Sequence, residues 1–91
     1  MLRTEEFLLA TGISREKFDD LLSLEWVETE TDDENNLLFS DTDIYRVRKM
    51  MRICEDFELP LIGGTIIVDL LERIRLLEET VQEIKGAQRI Q

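Results

Sequence analysis

Ninety-one residues with a formal net charge of −10, no histidine and one cysteine leave room for a single domain with a small core. A chain of this length buries only about 60–65% of its unfolded surface, so a partner or a second copy is the expected source of further burial. Cys54 has no intramolecular disulfide partner and residues 1–6 lack the apolar stretch of a signal peptide, which predicts a reducing, cytoplasmic setting; Asp69 and Glu72 interrupt the one long apolar region, so no membrane span is expected.

Thr4 is the predicted N-cap of a short helix over residues 4–10, with Phe7 and Leu8 on its apolar side and Gly12 placed for the reversal beyond it. Ser14 caps a second helix to residue 22, in which Ile13, Phe18, Leu21 and Leu22 recur at helical spacing and Glu16 lies near the favourable end of the dipole. Joined by Thr11, Gly12 and Ile13, the two have the form of a helix-turn-helix. Residues 24–30 alternate in part, residues 31–36 are polar turn formers, and Leu37, Leu38 and Phe39 are apolar again. That pattern fits two short strands around an acidic loop, a small β wing, better than the alternative of a plain disordered loop.

Ser40, followed by Asp41 and Asp43, opens a third helix running to residue 57. Ile44, Val47, Met51 and Cys54 step by three, four and three, which puts them on one core-facing stripe and makes Cys54 a packing residue rather than a nucleophile. Arg46, Arg48, Lys49 and Arg52 read as a solvated flank of that helix. Pro60 ends it. The last helix begins between residues 61 and 65, its start loosened by Gly63 and Gly64, and runs to residue 85. Ile67, Leu70, Ile74, Leu77, Val81 and Ile84 alternate steps of three and four along it, the seam of a coiled coil, with Leu71 widening the stripe near its start. The distal half of that seam must find another helix, and a homodimeric coiled coil, antiparallel or crossing, is the expected solution. The fold class is therefore mainly α: residues 1–60 a helix-turn-helix domain with a wing and residues 61–91 a dimerisation helix, together one compact unit.

Charge is unevenly placed. Thirteen of the 21 acids but only Arg3, Arg15 and Lys17 precede residue 44, so the head carries the whole −10 while the remainder is neutral. Nucleic-acid affinity needs the opposite sign, because it comes largely from Lys and Arg displacing counterions. Enzymatic chemistry is not expected either. The commonest general base and metal ligand is missing, one cysteine makes no thiolate zinc site, and the four glycines do not approach phosphate-loop spacing. Asp32, Asp33 and Glu34 lack the alternating ligands, central glycine and terminal glutamate of an EF-hand loop. No cofactor or metal is predicted.

The order helix, Thr11-Gly12-Ile13-Ser14, helix, Leu24-Glu25-Trp26-Val27, loop, Phe39-Ser40-Asp41-Thr42-Asp43-Ile44, long helix resembles the N-terminal domain of MerR-type regulators. The framework positions are kept. The DNA-reading ones are not: Phe18-Asp19-Asp20 replaces the arginine and tyrosines of the recognition helix, and Glu28, Glu30, Asp32, Asp33 and Glu34 replace a basic wing. In this the chain resembles the CbpM-type chaperone modulators, a non-DNA-binding branch. The resemblance implies binding to the J-domain of a DnaJ-like co-chaperone and restraint of its activity.

On that reading Phe18, Asp19, Asp20, Glu28, Glu30, Asp32 and Asp33 meet a basic partner surface, with Phe18 or Trp26 as apolar anchor, and Ile67, Leu70, Ile74, Leu77, Val81 and Ile84 form the dimer interface. Two alternatives stay open. One is a MerR-like transcriptional regulator binding DNA through Arg3, Arg15, Lys17 and the basic flank of the third helix. The other is an adaptor or antitoxin-like module for a different basic protein.

Overall fold

The computed structural model describes residues 1–89; the end of the expected dimerisation segment, residues 90 and 91, lies outside them. The elements follow in the order β1 (Leu2–Arg3), α1 (Thr4–Thr11), α2 (Arg15–Ser23), β2 (Glu30–Thr31), β3 (Leu37–Phe39), α3 (Asp41–Phe57) and α4 (Leu61–Arg89). This is the expected mainly helical, winged helix-turn-helix with a small sheet and a long C-terminal helix.

The turn between α1 and α2 is built locally. Gly12 adopts the left-handed conformation (φ 74°) that a side chain resists, and its N–H donates to Leu8 O at 2.9 Å. The buried Thr11 hydroxyl donates to Phe7 O at 2.9 Å and accepts from the Ile13 N–H at 3.3 Å, which aims Ile13 inward. Ser14 Oγ then accepts from the Lys17 N–H and starts α2. At the other end of α1 the expected cap moves by one residue. Arg3 precedes the helix and donates its N–H to Glu6 Oε1, because the chain enters α1 straight from a strand.

That strand, β1, was not foreseen. It pairs antiparallel with β3 (Leu2↔Phe39, Arg3↔Leu38), while β2 pairs with the other edge of β3 (Glu30↔Leu38, Thr31↔Leu37), giving the order β1-β3-β2. The wing hairpin is therefore present but shorter than expected, because residues 24–29 make no strand. Glu25 takes a left-handed φ of 55°, its N–H donates to Leu22 O and the Trp26 N–H to Leu21 O, a Schellman-type ending that throws the chain back over α2. Val27 drops into the core as a result.

Phe7, Phe18 and Phe39, from α1, α2 and β3, meet with ring centroids 4.4–5.8 Å apart and anchor that core. Leu21, Val47, Met50 and Val68 complete it. On α3 the expected Ser40 cap and the 41–57 span hold, with Ser40 Oγ and the buried Asp43 carboxylate capping each other's backbone amides. Of the expected stripe Val47 is fully buried, whereas Ile44, Met51 and Cys54 are half-buried and Met50 takes the central place.

Gly63 and Gly64 do not loosen α4, which is helical from Leu61. Gly64 is instead the contact point of the α3–α4 crossing. A Cβ there would collide with Cys54 Sγ and lie 3.1 Å from Met50 Cγ and 3.2 Å from Met50 O. Thr65 and Val68, one turn on, are buried against the same surface. No helix among the described residues is long and apolar enough to cross a membrane.

Candidate functional site

The acids singled out in the sequence separate into three groups. Asp19 and Asp20 stand exposed on α2, Asp19 within 3.4 Å of Arg15 one turn before it. Asp20 lies in the last turn of a helix that has no base there, where the dipole disfavours negative charge, so its presence does not serve the stability of α2. Glu28, Glu30 and Asp33 stand exposed on the wing and the segment leading to it.

Asp32 belongs to a third group. Its Oδ1 accepts the Glu34 and Asn36 N–H groups, each at 2.9 Å, and its Oδ2 accepts from Asn36 Nδ2 at 3.2 Å, while Asn35 supplies the left-handed turn residue (φ 62°). The Asn36 amide above all, helped by the Asn36 side chain, the Glu34 amide and Arg3, holds the carboxyl below its ordinary value of 3.8. Its contribution to wing order is thus complete above that value and is lost as pH falls through the lower folded one. Asp32 shapes the wing tip, its side chain 25% exposed.

Phe18 requires a correction. It is 1% exposed, between Phe7 and Phe39, and cannot anchor a partner. Helical spacing had already placed it with the apolar set of α2, but the Phe-Asp-Asp run drew it toward the acids.

Two of the head's three bases are spent internally. Arg3 lies 3.8 Å from Asp32, and Arg15 reaches both Glu5 and Asp19. Two of the three cations on which a DNA-binding reading of the head relied are therefore offset by carboxylates, and they tie β1 and α1 to the wing and to α2 respectively.

A polar junction that sequence spacing did not show joins α4 to the head. Arg46, expected as a solvated flank residue, is 17% exposed at its side chain. Its Nε donates to Glu72 Oε1 at 2.7 Å, one terminal nitrogen to Asp69 Oδ1 at 3.0 Å and the other to Trp26 O at 3.1 Å. The guanidinium lies 4.1 Å from the centre of the Trp26 ring, and Trp26 Nε1 donates to the same Asp69 oxygen at 3.0 Å. Trp26 is thereby committed to the junction. The two acids that break the apolar run of α4 are those Arg46 holds, a link across 23 and 26 residues that no local pattern announces.

Beyond this junction α4 is bare. The residues expected along a seam, Leu70, Ile74, Leu77, Val81 and Ile84, are each about half exposed and Ile67 is half-buried. Ile62 and Ile66, four residues apart and similarly exposed, carry the stripe a further turn and a half toward the start of the helix. At 100° per residue this stripe lies nearly opposite the face that Thr65, Val68 and Glu72 turn to the head.

The family model described as MerR HTH family regulatory protein matches residues 2–86. The chain is also similar to the chaperone modulatory protein CbpM of Salmonella arizonae, 33% identical over 78 residues that cover 85% of this chain and 77% of the relative.

Proposed function

This chain belongs to the MerR helix-turn-helix family of regulatory proteins, and we propose that within it the chain modulates a chaperone by binding a basic protein surface, the J-domain of a DnaJ-like co-chaperone, and competing with what that surface otherwise engages. The observation that carries the reading is the sign of the surface where this fold otherwise reads DNA. Asp19, Asp20, Glu28, Glu30 and Asp33 are exposed on the second helix and the wing, while Arg3 and Arg15 are held in ion pairs. Duplex DNA would be repelled there. A basic helix would be attracted over a distance of about a Debye length, which speeds encounter and makes it salt-sensitive. The likeness to a chaperone modulatory protein supports the choice of partner.

The second part of the reading concerns the stripe on α4. A second copy is the proposed cover, because Ile74, Leu77, Val81 and Ile84 repeat at the three-and-four spacing that two helices interlock along. Such a dimer would carry two acidic heads, on the sides of the helices turned away from the seam.

Calorimetric titration with a purified J-domain of the same organism, at low and at physiological salt, tests the proposal. Binding that weakens with salt, and weakens roughly tenfold or more when Asp19 and Asp20 are both changed to lysine, is the expected result. The same variant must keep its melting temperature. Absence of binding to every J-domain of the organism would refute the partner, and equal binding by the lysine variant would refute the acidic face.

A further inference from the structure

The sign of the surface reverses on the far side of α3. Tyr45, Arg48, Lys49 and Arg52 lie on one face of that helix by their spacing. Among the described residues no carboxylate lies within 4.0 Å of Arg48, Lys49 or Arg52. In a chain with 21 acids and 11 bases this is an uneconomical arrangement. Arg48 and Arg52 stand one turn apart, a like-charge pair that works against the helix. The Lys49 ammonium lies 5.8 Å from the centre of the Tyr45 ring.

Apolar surface accompanies the charge. Tyr45 is 65% exposed, and Leu71 of α4 stands exposed beside it. A shallow groove of about 630 Å³ along the outer face of α3 is lined by Tyr45, Arg48, Lys49, Arg52 and Ile53, with Leu71 of α4 at its side. The Arg46–Trp26–Asp69 junction fixes the angle between the two helices that frame it.

We propose that this surface is a second docking site, and that its occupant is an acidic amphipathic helix of a partner protein. Charge complementarity selects it. Apolar side chains at three- and four-residue spacing would lie on Tyr45, Ile53 and Leu71, while flanking carboxylates would meet Arg48, Lys49 and Arg52. Residues 41–56 of α3 offer a track of roughly 23 Å, matched by a helix of about 15 residues. A polyphosphate fits less well. It would leave the apolar floor of Tyr45, Ile53 and Leu71 uncovered. The site is opposite in sign to the α2 and wing face, so it does not depend on the J-domain reading and would let one molecule hold two partners.

Fluorescence polarisation with a labelled 15-residue peptide carrying leucines at three- and four-residue spacing among glutamates tests the proposal, against a scrambled peptide of the same composition and a labelled DNA duplex. The patterned peptide is expected to bind the full-length protein, and the exposed pair Arg48→Glu with Arg52→Glu to weaken it at least tenfold. Tyr45→Ala should weaken it with no change of charge. Asp19→Lys with Asp20→Lys should not weaken it, which separates this site from the acidic face. No binding, equal binding of the scrambled peptide, or tighter binding of the duplex would each overturn the proposal. Should the double glutamate variant melt early, Lys49→Glu alone decides the electrostatic part.

Discussion

The two halves of α4 are one unbroken helix with two different reasons to exist. In the proximal half Gly64 lets the helix approach α3, Thr65 and Val68 are buried, and Asp69 and Glu72 are gripped by Arg46. In the distal half, residues 77–88 are exposed on every side, apolar ones included. The first half is held by its own chain. An isolated helix of a dozen residues is marginal in water, so the second half draws its order either from continuity with the first or from another helix. The difference separates what stabilises this molecule from what it offers to others.

Substitutions of similar size in the two halves should therefore behave differently. Gly64→Val puts a branched side chain where Cys54 Sγ and the Met50 backbone already stand, and is expected to cost about 3 kcal/mol or more, read as an early thermal transition with loss of the α3–α4 contact. Arg46→Met keeps the bulk but leaves Asp69 and Glu72 without their cation and Trp26 without its stacking partner. Since both carboxylates are partly solvated, screening reduces the loss to about 1–2 kcal/mol. The single tryptophan should report it as a changed emission maximum. In the distal half, Ile74→Ser with Leu77→Ser should leave the head's stability unchanged at low concentration, because neither side chain touches the core cluster. If a second copy covers the stripe, the parent protein's melting temperature rises with concentration and that of the double variant does not. A concentration-independent parent would show that the distal half stands alone.

What could be read in the sequence follows the same division between local and long-range causes. The caps at Ser14 and Ser40, the left-handed Gly12 and the span of α3 were legible because each is set by residues within one turn of one another. The wing was legible as a hairpin, but β1 was not, since two residues at the N-terminus carry no alternation and pair only because Phe39 brings β3 beside them. Gly63 and Gly64 were read as loosening the start of α4; a tertiary contact, invisible in the local sequence, makes the second of them necessary. For the acidic face, composition was informative about sign but not about role. It grouped Asp32 with its neighbours although its oxygens are taken by turn amides, and it grouped Phe18 with Asp19 although the ring is in the core. Arg46 was hidden for the opposite reason, a base among bases on α3 that finds its carboxylates on another helix.

The smallest effect concerns the residue that delivers Trp26 to the junction. Glu25 ends α2 in the left-handed region, φ 55°, where glycine is the usual occupant and a side chain costs about 1 kcal/mol. It also places a negative charge at the C-terminal end of a helix, against the dipole, in the part of the chain that holds the whole net charge. Glycine at this position relieves both penalties and loses part of the gain to the greater freedom of its unfolded chain, so Glu25→Gly should stabilise the head by about 0.5 kcal/mol, or roughly 3 °C for a domain of this size. The gain should appear with Arg46 present and with Arg46→Met alike, because the Schellman-type bonds from Glu25 and Trp26 to α2 are made by backbone groups. A gain that vanished in the Arg46→Met background would mean that the turn is held by the junction rather than delivering Trp26 to it.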